Sequence, residues 1–161
     1  MSTTDRAASI RAALKAKGWS TRKVSVRSHY YSMGSSIYVT VKDPDIPLSA
    51  VEAIAEPHEH IDRCAYSGEI LSGGNRYVSV DYSHDAADAI RARYAPLLDA
   101  TATALAADEN DRSLHPLGET GFLLGRGYHG NNFSLWKDSH IAEGYRPVDL
   151  ALALHRHVTV S

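Results

Sequence analysis

His58-Glu59-His60, followed by Asp62 and Cys64 and later by His84, gathers every side-chain type that zinc uses. Neutral imidazole and thiolate are the usual donors, and four must converge tetrahedrally. The spacing argues for something simpler. There is no paired Cys-x-x-Cys and no helix-borne His-Glu-x-x-His, and His58 and His60 would diverge on a helix, so only an extended backbone puts both on one side. A polar helix exit accounts for the run, and no metal is expected. Gly125-Arg126-Gly127-Tyr128-His129-Gly130 spells G-x-G-x-x-G. A dinucleotide fingerprint needs a helix opening directly after the glycines to receive the pyrophosphate. Here Asn131-Asn132-Phe133-Ser134 reads as turn and then strand. The glycines therefore mark a hairpin turn with Arg126 and His129 exposed at its tip as secondary contacts, and no cofactor is expected. Cys64, with one of nine histidines, would supply a thiol nucleophile and base. No spacing in the chain supports that pairing, and no catalytic residue is assigned.

The strongest chemical signal is charge. Within residues 1–42, Arg6, Arg11, Lys15, Lys17, Arg22, Lys23, Arg27 and Lys42 face the single acid Asp5, a balance of +7 in a chain of net charge −2. The remaining residues therefore carry −9. Such asymmetry points to a basic face for a polyanion or an acidic partner. Arg22, Lys23, Arg27, His29, Tyr30, Tyr31 and Lys42 cluster in two adjacent strand-like segments. Lys and Arg neutralise phosphates, and exposed tyrosines stack on unpaired bases. The competing reading is structural: Tyr30, Tyr31 and Tyr38 pack along a sheet and the charges form a solvated face.

The elements that must position these residues follow from periodicity. Residues 5–17 fit a short helix, with Thr4 as cap, Ile10 and Leu14 on one face and Gly18 as the left-handed stop. Trp19 should fold back on the same core. Residues 23–29 and 35–42 alternate with period two around Ser32-Met33-Gly34, a β-hairpin with Val24, Val26, Ile37, Val39 and Val41 facing inward. Pro44 and Pro47 break the chain before a helix at 48–55 with Leu48, Val51, Ile54 and Ala55 as its stripe, and Pro57 ends it. Alternation returns at 75–82, where Val78 and Val80 complete the core. Ser83 can cap a long helix with Ala87, Ile90, Tyr94, Leu97, Leu98, Thr101 and Leu105 on one face, which Pro96 should kink or divide. A hairpin from 121–125 and 132–136 follows. A final helix starts at Pro147, with His155-Arg156-His157 favouring its carbonyl end.

The expectation is an α+β fold: an antiparallel sheet with flanking helices over residues 1–83, and a helix–hairpin–helix extension over 84–161 packed on it as one unit. A 43% hydrophobic, 22% charged composition is that of a folded globular chain, and no apolar run approaches the ~20 residues that span a bilayer. The N-terminus has helical spacing but no hydrophobic signal core. A lone cysteine fits a reducing compartment, so a cytoplasmic protein without membrane contact is expected.

The run KVSVRSHYYSMGSSIYVTVKDPDIPLSAVEAI, with LSGGNRYVSVDYS after it, resembles the type-29 large polyvalent protein-associated domain over roughly residues 6–83. The likeness rests on a Ser-Val-Arg strand, the GSSIYV strand, an Asp-Pro break before a helix and a final Tyr-Val strand. That resemblance implies an accessory protein of a mobile element, phage or conjugative plasmid, and it brings no catalytic residues. Joined to the charge pattern, it implies a non-catalytic module that binds nucleic acid or a host defence nucleoprotein, a counter-defence role, through the basic hairpin. Two alternatives stand beside it: a small enzyme acting on nucleic acid or nucleotide through His58, His60, Asp62 or His129, and an adaptor for an acidic protein.

Overall fold

A computed structural model describes residues 1–71, 73–128 and 130–159. The fold is α+β. Among the described residues there are four α-helices, one sheet of three strands and one of four, and the chain divides into two compact units, Met1–Ala86 and Ala87–Ser161. No helix among the described residues is long and apolar enough to cross a membrane.

In the first unit, α1 (Thr3–Ala16) begins with a capping box. The Asp5 N–H donates to Ser2 Oγ at 3.1 Å, and the Ser2 N–H donates to the Asp5 carboxylate at 2.9 Å. The cap is thus Ser2 rather than Thr4, because Asp5 lies three residues after Ser2 and closes the reciprocal pair. Gly18, at φ +81°, ends the helix, and the Trp19 N–H returns to the Leu14 carbonyl at 3.0 Å. Trp19 packs partly buried against the core, as its position after the stop suggests.

The hairpin forms as its alternation requires. β1 (Val24–Tyr31) pairs antiparallel with β2 (Gly34–Val41), with Tyr31 opposite Gly34 and Ser32-Met33 as the two-residue loop. Gly34 belongs to the strand, where an added Cβ would run into the Asn75 carbonyl. β3 (Asn75–Tyr82) then joins the other edge of β2 in parallel, so the sheet is not wholly antiparallel as expected. A parallel neighbour needs a long crossover. Residues 42–74 provide it, carrying α2 (Leu48–Ala55) and a 3-10 turn, Glu56–His58. Ala7, Ile10 and Leu14 of α1 and Val51 and Ala55 of α2 bury one face of this sheet together with Val24, Val26, Ile37, Val39 and Val41. Val78, Val80, Leu48 and Ile54 pack half-buried around them. Truncating one of the buried aliphatics costs about 2–5 kcal/mol.

The second unit is built on α3 (His84–Ala106), whose first turn is capped by Ser83 Oγ accepting the Ala86 N–H at 3.2 Å. The helix runs unbroken through Pro96. Pro96 and Ala92 are both exposed, so the Ala92 carbonyl that loses its N–H partner can turn to water. The expected hairpin is β5 (Leu123–Arg126) with β6 (Phe133–Trp136), and it is the centre of a four-stranded antiparallel meander. Its edges are β4 (His115–Pro116) and β7 (His140–Gly144). A 3-10 turn, Pro147–Leu150, leads into α4 (Ala151–Val158). Leu98, Leu105, Leu117, Phe122, Leu124, Leu135, Leu150 and Leu154 form a core of its own. His155 is buried there with Nδ1 3.1 Å from the Tyr94 hydroxyl, so it serves the core as well as the helix end.

Candidate functional site

Strand register decides which side chains share a surface. In β1, Val24 and Val26 point to the helices, so Ser25, Arg27, His29 and Tyr31 point the other way. In β2 the same parity sends Ser36, Tyr38 and Thr40 away from the helices, and in β3 it sends Tyr77, Ser79 and Asp81. Arg27 lies opposite Tyr38, Tyr38 opposite Ser79, and Ser36 opposite Tyr77. Both helices pack on the other side, which leaves a face carrying three tyrosines, a histidine and an arginine. Tyr38 is 50% exposed and Tyr31 40%. The His29 and Tyr31 rings lie 6.1 Å apart between centroids at a 31° tilt, and the Tyr31 hydroxyl is 3.3 Å from Ser36 Oγ.

The residues singled out from the sequence divide over this frame. Arg27, His29 and Tyr31 lie on the open face. Lys23 and Lys42 flank its far end, joined by a Lys42 N–H to Lys23 carbonyl bond of 2.7 Å. Lys23 also pairs with Asp43 at 3.1 Å, and the Asp43 carboxyl is held below its usual range, first by the Asp45 N–H and then by Lys23. Arg22 sits exposed in the turn before β1. Tyr30 has the opposite parity: its hydroxyl is hydrogen-bonded to Thr4 Oγ1 at 2.8 Å at the start of α1. Two other cations of the first 42 residues are engaged elsewhere. Arg11 donates to the Val26 carbonyl at 2.7 Å, and Arg6 is buried. The face is therefore less cationic and more aromatic than the charge count suggests. Tyr77 was missed as a member; the alternation at 75–82 held the signal, and only the parallel pairing places it beside Ser36.

The remaining constellations resolve into local structure. His60 Nε2 pairs with Asp62 at 2.9 Å, and no group of three or more potential ligands capable of holding a metal forms among the described residues. The glycine cluster links antiparallel strands, with the Gly127 N–H donating to the Asn132 carbonyl at 2.8 Å. His129 lies outside the described residues. Arg126, expected at an exposed tip, is half-buried and braces the chain after α3. Its Nη2 donates to the Leu105 and Asp108 carbonyls at 2.8 Å each, and its Nε to the Asp111 carbonyl at 3.1 Å. Arg126 is the last residue of β5, opposite Phe133, and not part of the turn, so its side chain is within reach of those carbonyls.

Asp111, Ser113 and His115 meet as a serine–histidine–aspartate trio. Ser113 Oγ donates to Asp111 at 2.6 Å, His115 Nε2 is 2.6 Å from the other carboxylate oxygen, and Ser113 Oγ is 3.1 Å from that same Nε2. A proton relay needs the acid and the hydroxyl on different ring nitrogens. Here both address Nε2, so the trio fixes a turn. The Ser113 hydroxyl, then the Ser113 N–H and His115, hold the Asp111 carboxyl far below its usual range. At Cys64, hydrogen bonds from the Ser67 hydroxyl and from the Ser67 and Tyr66 N–H groups pull the thiol from 9.0 down to about 7.

The family model of large polyvalent protein associated domain 29 matches residues 1–94. The chain belongs to that family. The match covers more than half of the chain, takes in all of the three-stranded sheet with α1 and α2, and ends within α3. Comparison with curated proteins and with solved structures finds no match. The domain is a polyvalent-protein-associated module, and its open tyrosine face lies wholly within the matched residues.

Proposed function

We propose that this module lays single-stranded nucleic acid, free or within a nucleoprotein, across the open face of its three-stranded sheet, as a binding component of a mobile element. Tyr31, Tyr38 and Tyr77 stack on unpaired bases, while Arg27, Lys42 and Arg22 meet the backbone phosphates. The observation that carries this reading is the shared parity of the three tyrosines on the side of the sheet that α1 and α2 leave open. Aromatic side chains on a sheet, edged by cations, hold single strands with little sequence preference because every base has a stacking face. The family supports an accessory role within a larger protein system. A counter-defence role follows if the strand belongs to a host nucleoprotein.

The test is a fluorescence anisotropy titration with labelled single-stranded DNA and RNA at low salt, repeated over a salt series. Binding should weaken as salt rises, with a log–log slope of about −0.7 for each phosphate neutralised. Negligible affinity for every strand at low salt rejects the nucleic-acid reading, and the basic hairpin is then to be tested against acidic protein partners.

A further inference from the structure

Arg6 is an arginine where the apolar stripe of α1 should continue, four residues before Ile10, and it is only 3% exposed. Its Nη1 donates to the His58 carbonyl at 2.6 Å, and its Nη2 donates to Ser35 Oγ at 2.9 Å and Thr3 Oγ1 at 3.2 Å. Nε is buried without a partner. No carboxylate of the described residues lies within ion-pair distance of this guanidinium. A buried charge without a counter-charge is costly. The charge that acts on it through space, Arg76, is of the same sign. Ser35 pairs with Arg76 across β2 and β3, and the parity of Val78 and Val80 puts Arg76 on the same helix-covered side as Ser35. Burial, and after it the positive charge of Arg76, lower the Arg6 pKa. Arg76 is exposed and its guanidinium makes no hydrogen bond among the described residues. His60 bridges to Arg76 through backbone hydrogen bonds of 2.9 and 2.8 Å.

Arg6, His60 and Arg76 line a cleft of about 450 Å³ together with Met1, Pro57, His58 and Glu59. Glu59 is the acid of the cleft wall, and its Oε2 accepts the Val78 N–H at 3.0 Å. We infer that this cleft binds a phosphate group, with Arg76 as the accessible donor, Arg6 as the buried positive charge behind it, and His58 and His60 at the rim. A guanidinium presents paired N–H groups that match phosphate oxygens, and two arginines facing one cleft lose their mutual repulsion when a dianion enters. The phosphate can come from a free nucleotide or from the phosphorylated end of a strand. The site lies on the opposite side of the sheet from Tyr38 and stands independently of the open-face reading.

Titration of the full chain with inorganic phosphate at constant ionic strength, followed by amide resonances, tests the site. Saturable shifts at His60 and Arg76, and at the Arg6 side-chain N–H, are expected. Arg76→Ala leaves the fold intact because the side chain is exposed, and it should weaken phosphate binding by about ten- to a hundredfold, the loss of one charge-assisted hydrogen bond. Tyr38→Ala should leave it unchanged, which separates this site from the open face. Tighter binding of a nucleoside monophosphate assigns a nucleotide. Preference for a 5′-phosphorylated oligonucleotide over its hydroxyl-ended twin assigns a strand end. Absence of a phosphate-specific shift, or shifts that survive Arg76→Ala unchanged, overturns the proposal.

Discussion

Tyr38→Ala separates a binding face from a merely solvated sheet. Tyr38 stands at the middle of the central strand, opposite Arg27 on one side and Ser79 on the other, and is 50% exposed. Its hydroxyl makes no hydrogen bond among the described residues. Removing the ring therefore costs the fold little: its cross-strand contact with Arg27 is a pair of the kind that contributes about 0.2–1 kcal/mol. A base stacked on the same ring contributes about 1–3 kcal/mol. At ~1.4 kcal/mol per tenfold, affinity for a single strand should fall by about 5- to 150-fold. The ring rather than the hydroxyl makes the contact, so Tyr38→Phe should retain affinity. Anisotropy titrations with a labelled oligonucleotide measure the first quantity, and urea unfolding of the same variants measures the second. An alanine variant that binds like the wild type, or a phenylalanine variant as weak as the alanine one, refutes the stacking argument.

Two further outcomes follow from local geometry. Arg126→Ala removes a guanidinium that holds the Leu105, Asp108 and Asp111 carbonyls. It should destabilise the second unit by about 1.5–3 kcal/mol, the value of a charged hydrogen-bond donor, and Arg126→Lys should not restore it because an ammonium cannot reproduce the fork. An unchanged urea midpoint would show that these carbonyls are as well satisfied by water. Alkylation of Cys64 should rise with pH through a midpoint near 7, and Ser67→Ala should move that midpoint up toward 9.0. A midpoint that ignores Ser67 would place the cause elsewhere. The sign is that of an acid whose ionised form is hydrogen-bonded in the fold: removing the donor favours the thiol.

Where punctuation was strong, the sequence was sufficient. Pro47 and Pro57 bracket α2 and a glycine-rich loop precedes β3, and both elements occupy the expected residues, 48–55 and 75–82. Alternation also assigned Val24, Val26, Ile37, Val39 and Val41 to the core. Alternation reports faces, however, and not partners. It could not show that β3 lies parallel to β2, and so it did not bring Tyr77 beside Ser36 and Tyr38. β4 has only two residues, and β7, His140–Gly144, carries no run of alternating large apolar residues, so the meander read as one hairpin. Charge counting takes Arg6 into the basic balance without regard to burial, although its spacing from Ile10 sets it on the buried stripe. Tyr30 and Tyr31 are neighbours in sequence, and adjacent strand residues must point to opposite faces. Only one of them belongs to the candidate site. The reach of Arg126 to three carbonyls depends on how the meander folds back on the end of α3, which no local pattern encodes.

Contact between the open face of the three-stranded sheet and a single strand can be observed residue by residue. Backbone amide mapping of isotope-labelled protein with an unstructured oligonucleotide tests it most directly. The perturbed amides should trace Arg27, His29 and Tyr31 on β1, Ser36, Tyr38 and Thr40 on β2, and Tyr77 and Ser79 on β3, with the helix-covered residues Ala7, Ile10, Val51 and Ala55 unmoved. Perturbations confined to α1 and α2, or to the second unit, with the three tyrosine positions silent, would contradict it.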